Sequence, residues 1–140
     1  MVYGSRNPEG RPWREGEASY LHFAEEQRTL CNRFTEATGF LVYETGRNEG
    51  TKSILGRGTI LSLDCEDRTQ DQIQDDTGKR YPLGVKVEFD KLVTLDKGLK
   101  LEKIYELCPR LVNHFGPSMG GLIGITMEEF KALSAVLDKG

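Results

Sequence analysis

The run Gly39-Phe40-Leu41-Val42-Tyr43-Glu44-Thr45-Gly46 narrows the folds open to this chain more than any other stretch. It is apolar, β-branched and aromatic with glycine at both ends, the mark of a strand between two turns. A second run, Ile54 to Leu63, follows a polar, glycine-containing loop from Arg47 to Ser53. Together they predict a β-hairpin from which the rest of the sheet extends. In the first strand Leu41, Tyr43 and Thr45 point one way, and Phe40, Val42 and Glu44 the other. Gly56 and Gly58 interrupt the second strand, as at a bulge or bend in a small curled barrel.

The flanking segments supply the other elements. Val85, Val87 and Phe89 alternate with Lys86, Glu88 and Asp90, which predicts a half-exposed antiparallel strand within Tyr81 to Leu95. Asp64 to Lys79 is a polar connector that reads as the tip of another hairpin, turning at Thr77-Gly78. Leu21, Ala24, Cys31 and Phe34, widened by Phe23 and Leu30, follow helical spacing and predict a helix over 17–36, with Gly39 as its stop. His22 lies beside that stripe and reads as structural. Leu101, Ile104, Tyr105 and Leu107 predict a short helix ended by Pro109. Thr126 with Glu129 three residues on forms a capping box, opening a helix that buries Phe130, Leu133, Val136 and Leu137. Residues 1–16 read as an irregular arm with a turn at Asn7-Pro8-Glu9-Gly10, and 112–124 as a glycine-rich loop. The fold class expected is α+β: a curled β-barrel of about five strands flanked by helices, one domain over residues 1–140.

At 140 residues the chain suits a single core. No apolar run approaches the ~18 residues of a membrane helix. The N-terminus is polar, without the apolar segment of a signal peptide. A cytoplasmic protein without membrane contact is expected. The three cysteines, Cys31, Cys65 and Cys108, are widely spaced with no C-x-x-C pair, so free thiols in a reduced chain are expected, Cys31 as a small buried hydrophobe. A net charge of −3 argues against bulk electrostatic capture of nucleic acid. The whole deficit lies in residues 61–80, with six acids against three bases, whereas the first 14 residues carry Arg6, Arg11 and Arg14 against Glu9. A polyanion would approach the N-terminal arm. His22 and His114 lack ligand spacing, and Gly116 to Gly121 lacks the Gly-Lys-Ser/Thr ending of a phosphate loop, so no metal or cofactor is expected.

Three segments carry a family resemblance: Val42 to Gly46, Gly56 to Ile60, and Tyr81 to Val87. With Gly120 to Phe130 at the end, their order and spacing resemble the PUA-like superfold, in particular the EVE domain and its close relatives, over roughly residues 39–137. The resemblance implies a pseudo-barrel whose pocket accepts a flipped, modified base of DNA or RNA, often a modified cytosine, without chemistry. It also implies a restriction setting with a nuclease as partner. The family's Arg-Asn pair corresponds to Arg6-Asn7, and Thr45 falls where relatives place a pocket hydroxyl. The aromatic-rich opening strand of EVE domains has no counterpart here, and the predicted helix occupies its place.

A base reader needs a flat wall, polar groups for the base edge and a cationic approach for phosphate. Trp13, Phe40 and Tyr43 are the candidate walls, and strand alternation lets only one of the last two face a pocket. Trp13 reads first as a lid over one end of the core, and second as a stacking surface. Arg6, Arg11 and Arg57 are candidates for phosphate, and Asn7 and His114 for the base edge, beside the pocket hydroxyl of Thr45 that the resemblance implies. Two other classes stay open. One is an enzyme like the ASCH relatives, with Tyr43, Glu44 and Lys52 as its set. The other is a protein-interaction module using apolar residues of the 112–124 loop.

Overall fold

The computed structural model describes residues 1–5, 13–45, 52–74, 77–112, 114–115 and 122–139. Among these, eight strands form one sheet: β1 (Val2–Ser5), β2 (Ala18–Phe23), β3 (Gly39–Glu44), β4 (Ser53–Ile60), β5 (Glu66–Asp67), β6 (Leu83–Leu92), β7 (Leu99–Lys100) and β8 (Leu122–Ile123). The main path runs β2-β6-β4-β3-β1-β8, with β5 added to β6 and β7 to β4. All pairs are antiparallel except β1 with β3. The helices are α1 (Arg28–Thr35), α2 (Leu101–Leu107) and α3 (Met127–Asp138). The fold is α+β, a curled half-barrel sheet flanked by three helices.

The curl is visible in one side chain. Three strands separate β1 from β2 along the sheet. Yet the Tyr3 hydroxyl donates to the His22 carbonyl at 2.6 Å, and its ring meets Phe23 edge-on at 5.4 Å. The sheet has therefore rolled until its two sides nearly touch. The bend sits where the glycines predicted it: the β4–β6 register shifts between Arg57 and Gly58. A Cβ at Gly58 would meet the Phe40 ring at 2.7 Å and the Glu88 carbonyl, so only glycine lets the three strands close up.

Alternation along β3 divides the core in two. Phe40 and Val42 join Tyr3, Leu21, Phe23, Cys31, Phe34 and the inward residues of β6 inside the curl, beneath α1. Leu41 and Tyr43 face the other way, against Ile104 of α2 and Leu133 and Leu137 of α3. β3 is thus buried on both faces, while the outer side of β6 leaves Lys86, Glu88 and Asp90 in solvent.

The hairpin of β3 and β4, the alternating β6, and both C-terminal helices match expectation. The capping box of α3 forms in full, with Glu129 N–H donating to Thr126 Oγ1 at 3.1 Å and Thr126 N–H to Glu129 Oε1 at 2.8 Å. The connector is a hairpin tip, with a Gln74–Arg80 bridge and Gly78 at φ +88° in its turn.

Three expectations are corrected. The helix over 17–36 is a strand, β2, then a 3-10 turn and the short α1. Leu21 and Phe23 point inward from a ladder with β6, so period two holds there rather than 3.6. The N-terminal arm is not irregular throughout, since Val2–Ser5 is a strand between β3 and β8; with β2 and the two-residue β5, β7 and β8 it brings the described sheet to eight strands where about five were expected. The cysteines are not all free: Cys31 and Cys65 form a disulfide, because α1 and the segment after β4 fold to the same place. Cys108 is free and buried.

Candidate nucleic-acid interface

Tyr43 sits near the end of β3 with 3% of its surface exposed. Its ring meets Phe115 at 4.7 Å, and Phe115 in turn meets Tyr105 at 6.3 Å. Burial, and then the neighbouring Tyr105, push its phenol up to about 12. A raised phenol is the opposite of an activated base. Its neighbour Glu44 is buried on the other face of the strand, and Lys52 is exposed, so Tyr43, Glu44 and Lys52 do not converge as an enzyme's set. Thr45 follows directly, half-buried, and its Oγ1 is enclosed with no hydrogen-bond partner among the described residues. A buried hydroxyl left unbonded costs about 1–3 kcal/mol. Ser134 Oγ on α3 is in the same state.

Phe40 lies on the other face, fully buried, with Phe34 at 5.7 Å and Phe89 at 5.4 Å. A ring so enclosed presents no face of its own to a ligand. Trp13 stacks on Phe89 at 5.0 Å and 29° and stays half-buried. The main chain fixes it there: Gly16 N–H donates to the Phe89 carbonyl at 2.7 Å, and Leu92 N–H to Glu15 Oε1 at 2.7 Å. Trp13 is a lid on the inner core, with part of its ring still facing water. The predicted aromatics therefore split, with Trp13 and Phe40 inside the curl and Tyr43 outside it.

Arg57 is clamped. Its Nε lies 3.0 Å from Asp90 Oδ1, and its terminal nitrogen 2.9 Å from Asp138 Oδ1, at the end of α3. Both carboxylates hold the guanidinium in its charged form, Asp138 foremost. A phosphate would have to displace one of them. His114 is exposed, with Nδ1 3.3 Å from the Val112 carbonyl. Arg6, Asn7 and Arg11 lie outside the described residues. Val112, 44% exposed, is the apolar residue that the described part of 112–124 offers a protein partner.

The strand β2 brings together a polar group that reading it as a helix had concealed. Tyr20 carries Arg68 over its ring at 4.0 Å, and Asp71 pairs with both Arg68 and His22 at 2.8 Å. Burial, then Glu66, raises the Tyr20 phenol, while Arg68, then His22, lower the Asp71 carboxyl. The signal was present in the alternation of Ser19, Leu21 and Phe23 with Tyr20 and His22. Among the described residues no three His, Cys, Asp or Glu side chains gather in a way that could hold a metal ion, and no helix is long and apolar enough to cross a membrane.

No protein-family model and no curated protein sequence matches the chain. Among solved structures, the Mmi1 YTH domain superimposes with a TM-score of 0.57 at 12% identity, covering 99% of this chain and 75% of that one. The two share one fold. A crystal structure described as the MmI1 YTH domain gives 0.53 at 16% identity, over 84% of this chain and 80% of its own. At such identities the YTH likeness speaks for the arrangement of strands and helices, and the side chains must argue function for themselves.

Proposed function

We propose that this domain is a non-catalytic reader that takes a modified base of DNA or RNA into a pocket of the curled sheet. The YTH fold is related to the PUA-like and EVE-type folds of modified-base readers. The observation that carries the reading is that this fold and the EVE-like motif meet on β3, at whose end Thr45 keeps a buried hydroxyl unbonded among the described residues. In this reading Trp13 gives its open face for stacking, Asn7 bonds the base edge and Arg6 meets phosphate, while Thr45, just past the end of β3 and five residues on from Phe40, offers its hydroxyl to a neighbouring nucleotide by turning outward. Phe40 supports Phe89 beneath Trp13, and Tyr43 belongs to the core on the other face of β3. Arg57 joins the phosphate contacts when Asp138 yields it, and His114 stands at the rim. The restriction setting of EVE-type relatives makes a nuclease the partner class to seek.

The net charge of −3 requires that affinity come from the pocket more than from counterion release. The test is fluorescence anisotropy on matched RNA and DNA oligonucleotides, plain or carrying a modified cytosine or adenine, at one fixed salt concentration. The expected result is tighter binding of one modified strand by about tenfold, the scale of a few well-made base contacts. Equal affinities across the panel overturn the reading.

A further inference from the structure

The disulfide joins α1 to the segment that leaves β4, and the loop it closes contains all of β3 and β4. Cys31 is fully buried, whereas Cys65 is half-buried. Beyond Cys65 the chain forms a strap along the edge of β6 opposite β2, and its side chains reach across the outer face to β2. Glu66 and Asp67 pair with Gly84 and Leu83, and Arg68 N–H donates to the Pro82 carbonyl at 2.6 Å. The Arg68 stem crosses β6 at Gly84, where a Cβ would meet its Cγ at 2.6 Å. Its guanidinium then rests on Tyr20, and Asp71 ties the end of the strap to His22. Glu66 accepts from Ser62 Oγ at 2.6 Å and from the Tyr20 hydroxyl at 3.3 Å. The strap is thus fastened to the outer face by polar contacts and to α1 by a covalent bond.

We infer that Cys31 and Cys65 form a redox latch on this strap, opened by a dithiol reductant. The thiolate of the reductant attacks Cys65 Sγ, on the less buried of the two residues. The S–S bond breaks, and Cys31 leaves and takes a proton. The reductant's second thiol then attacks the mixed disulfide and releases Cys65, which takes the second proton. Two electrons and two protons have passed to the protein, and the reductant departs as its own disulfide. With the latch open, the ladder and the Arg68–Asp71–His22 contacts remain, but α1 no longer anchors residues 61–74. The unfolded chain also loses its closed loop around β3 and β4, which lowers stability. Cys108 is a built-in control, since it is buried and its thiol is pushed up by that burial.

The test uses the whole chain purified without reductant. Alkylation in denaturant is expected to label one thiol per chain, and all three after dithiothreitol. In native buffer, hydrogen exchange over 61–74 is expected to quicken by about tenfold on reduction, with the inner part of β6 unchanged. In Cys65→Ser the same segment exchanges fast from the start, and dithiothreitol has no further effect. Should that variant fail to fold, reduced wild type capped with iodoacetamide takes its place. Three labelled thiols before reduction, equal exchange in both redox states, or a Cys65→Ser protein that still responds to dithiothreitol each overturn the latch.

Discussion

Trp13 poses the sharpest question at the scale of single residues, because its ring serves the core and the solvent at once. One face stacks on Phe89, and the residue remains half-buried. Replacing it by alanine removes any stacking on a bound base, worth about 1–3 kcal/mol. For Trp13→Ala the expected outcome is a loss of that size in affinity for the preferred modified strand, read by anisotropy beside a thermal melt. A lower melting temperature with unchanged affinity reduces Trp13 to a lid. Arg57 carries a different lesson. Its partner Asp138 is 81 residues away, so no local window reveals that this arginine is already engaged. Phe40 and Tyr43 were placed on opposite faces by alternation alone, and they lie so. That both would be enclosed depends on helices that arrive from elsewhere in the chain.

Local rules were reliable at the scale of elements wherever the element carries its own signal. α3 has a cap, a box and an apolar stripe within its own residues. Thr126→Ala removes the Oγ1 that accepts from Glu129 N–H and is expected to cost about 1 kcal/mol, read as a shift in the urea midpoint. Thr126→Ser should restore most of the loss. β6 and the β3–β4 hairpin were readable for the same reason, by period and by turn residues. The failures have one cause. β5, β7 and β8 are two residues long and exist only because a neighbour offers hydrogen bonds. β2 was misread because Leu21, Ala24, Cys31 and Phe34 happen to keep helical spacing across what are in fact a strand, a turn and a helix. The disulfide was missed because wide spacing says nothing of where two cysteines meet. Of the candidate interface, β3 and the aromatic set were readable, while their division between two cores was not.

The pH response of the whole molecule follows from which groups the fold has shifted. Asp71 is held down by Arg68 and His22, Glu129 by Arg110, and Asp138 by Arg57, each below its ordinary value of 3.8 or 4.5. A carboxyl whose folded pKa is lowered adds stability above its unfolded pKa and loses it as pH falls through the folded one. The urea midpoint is therefore expected to hold near neutrality and drop once the pH passes below these ordinary values. Tyr43 acts at the other end with the opposite sign. Its folded pKa of about 12 exceeds the ordinary 10.0, so its contribution is complete below 10.0 and fades as pH rises toward 12. Denaturation series on wild type and Tyr43→Phe check this, since the variant should lose less stability over that alkaline range.

The register of β1 bears on how the molecule is made. Val2 pairs with Leu41 on one side and Ile123 on the other. During synthesis that ribbon leaves the ribosome ahead of both partners, and it has no local turn to hold it against either. The hairpin of β3 and β4 can zip as soon as it emerges, whereas β1 must wait, bare, for a slot that opens only when much later residues arrive. A strand made before both of its partners is among the last to find shelter.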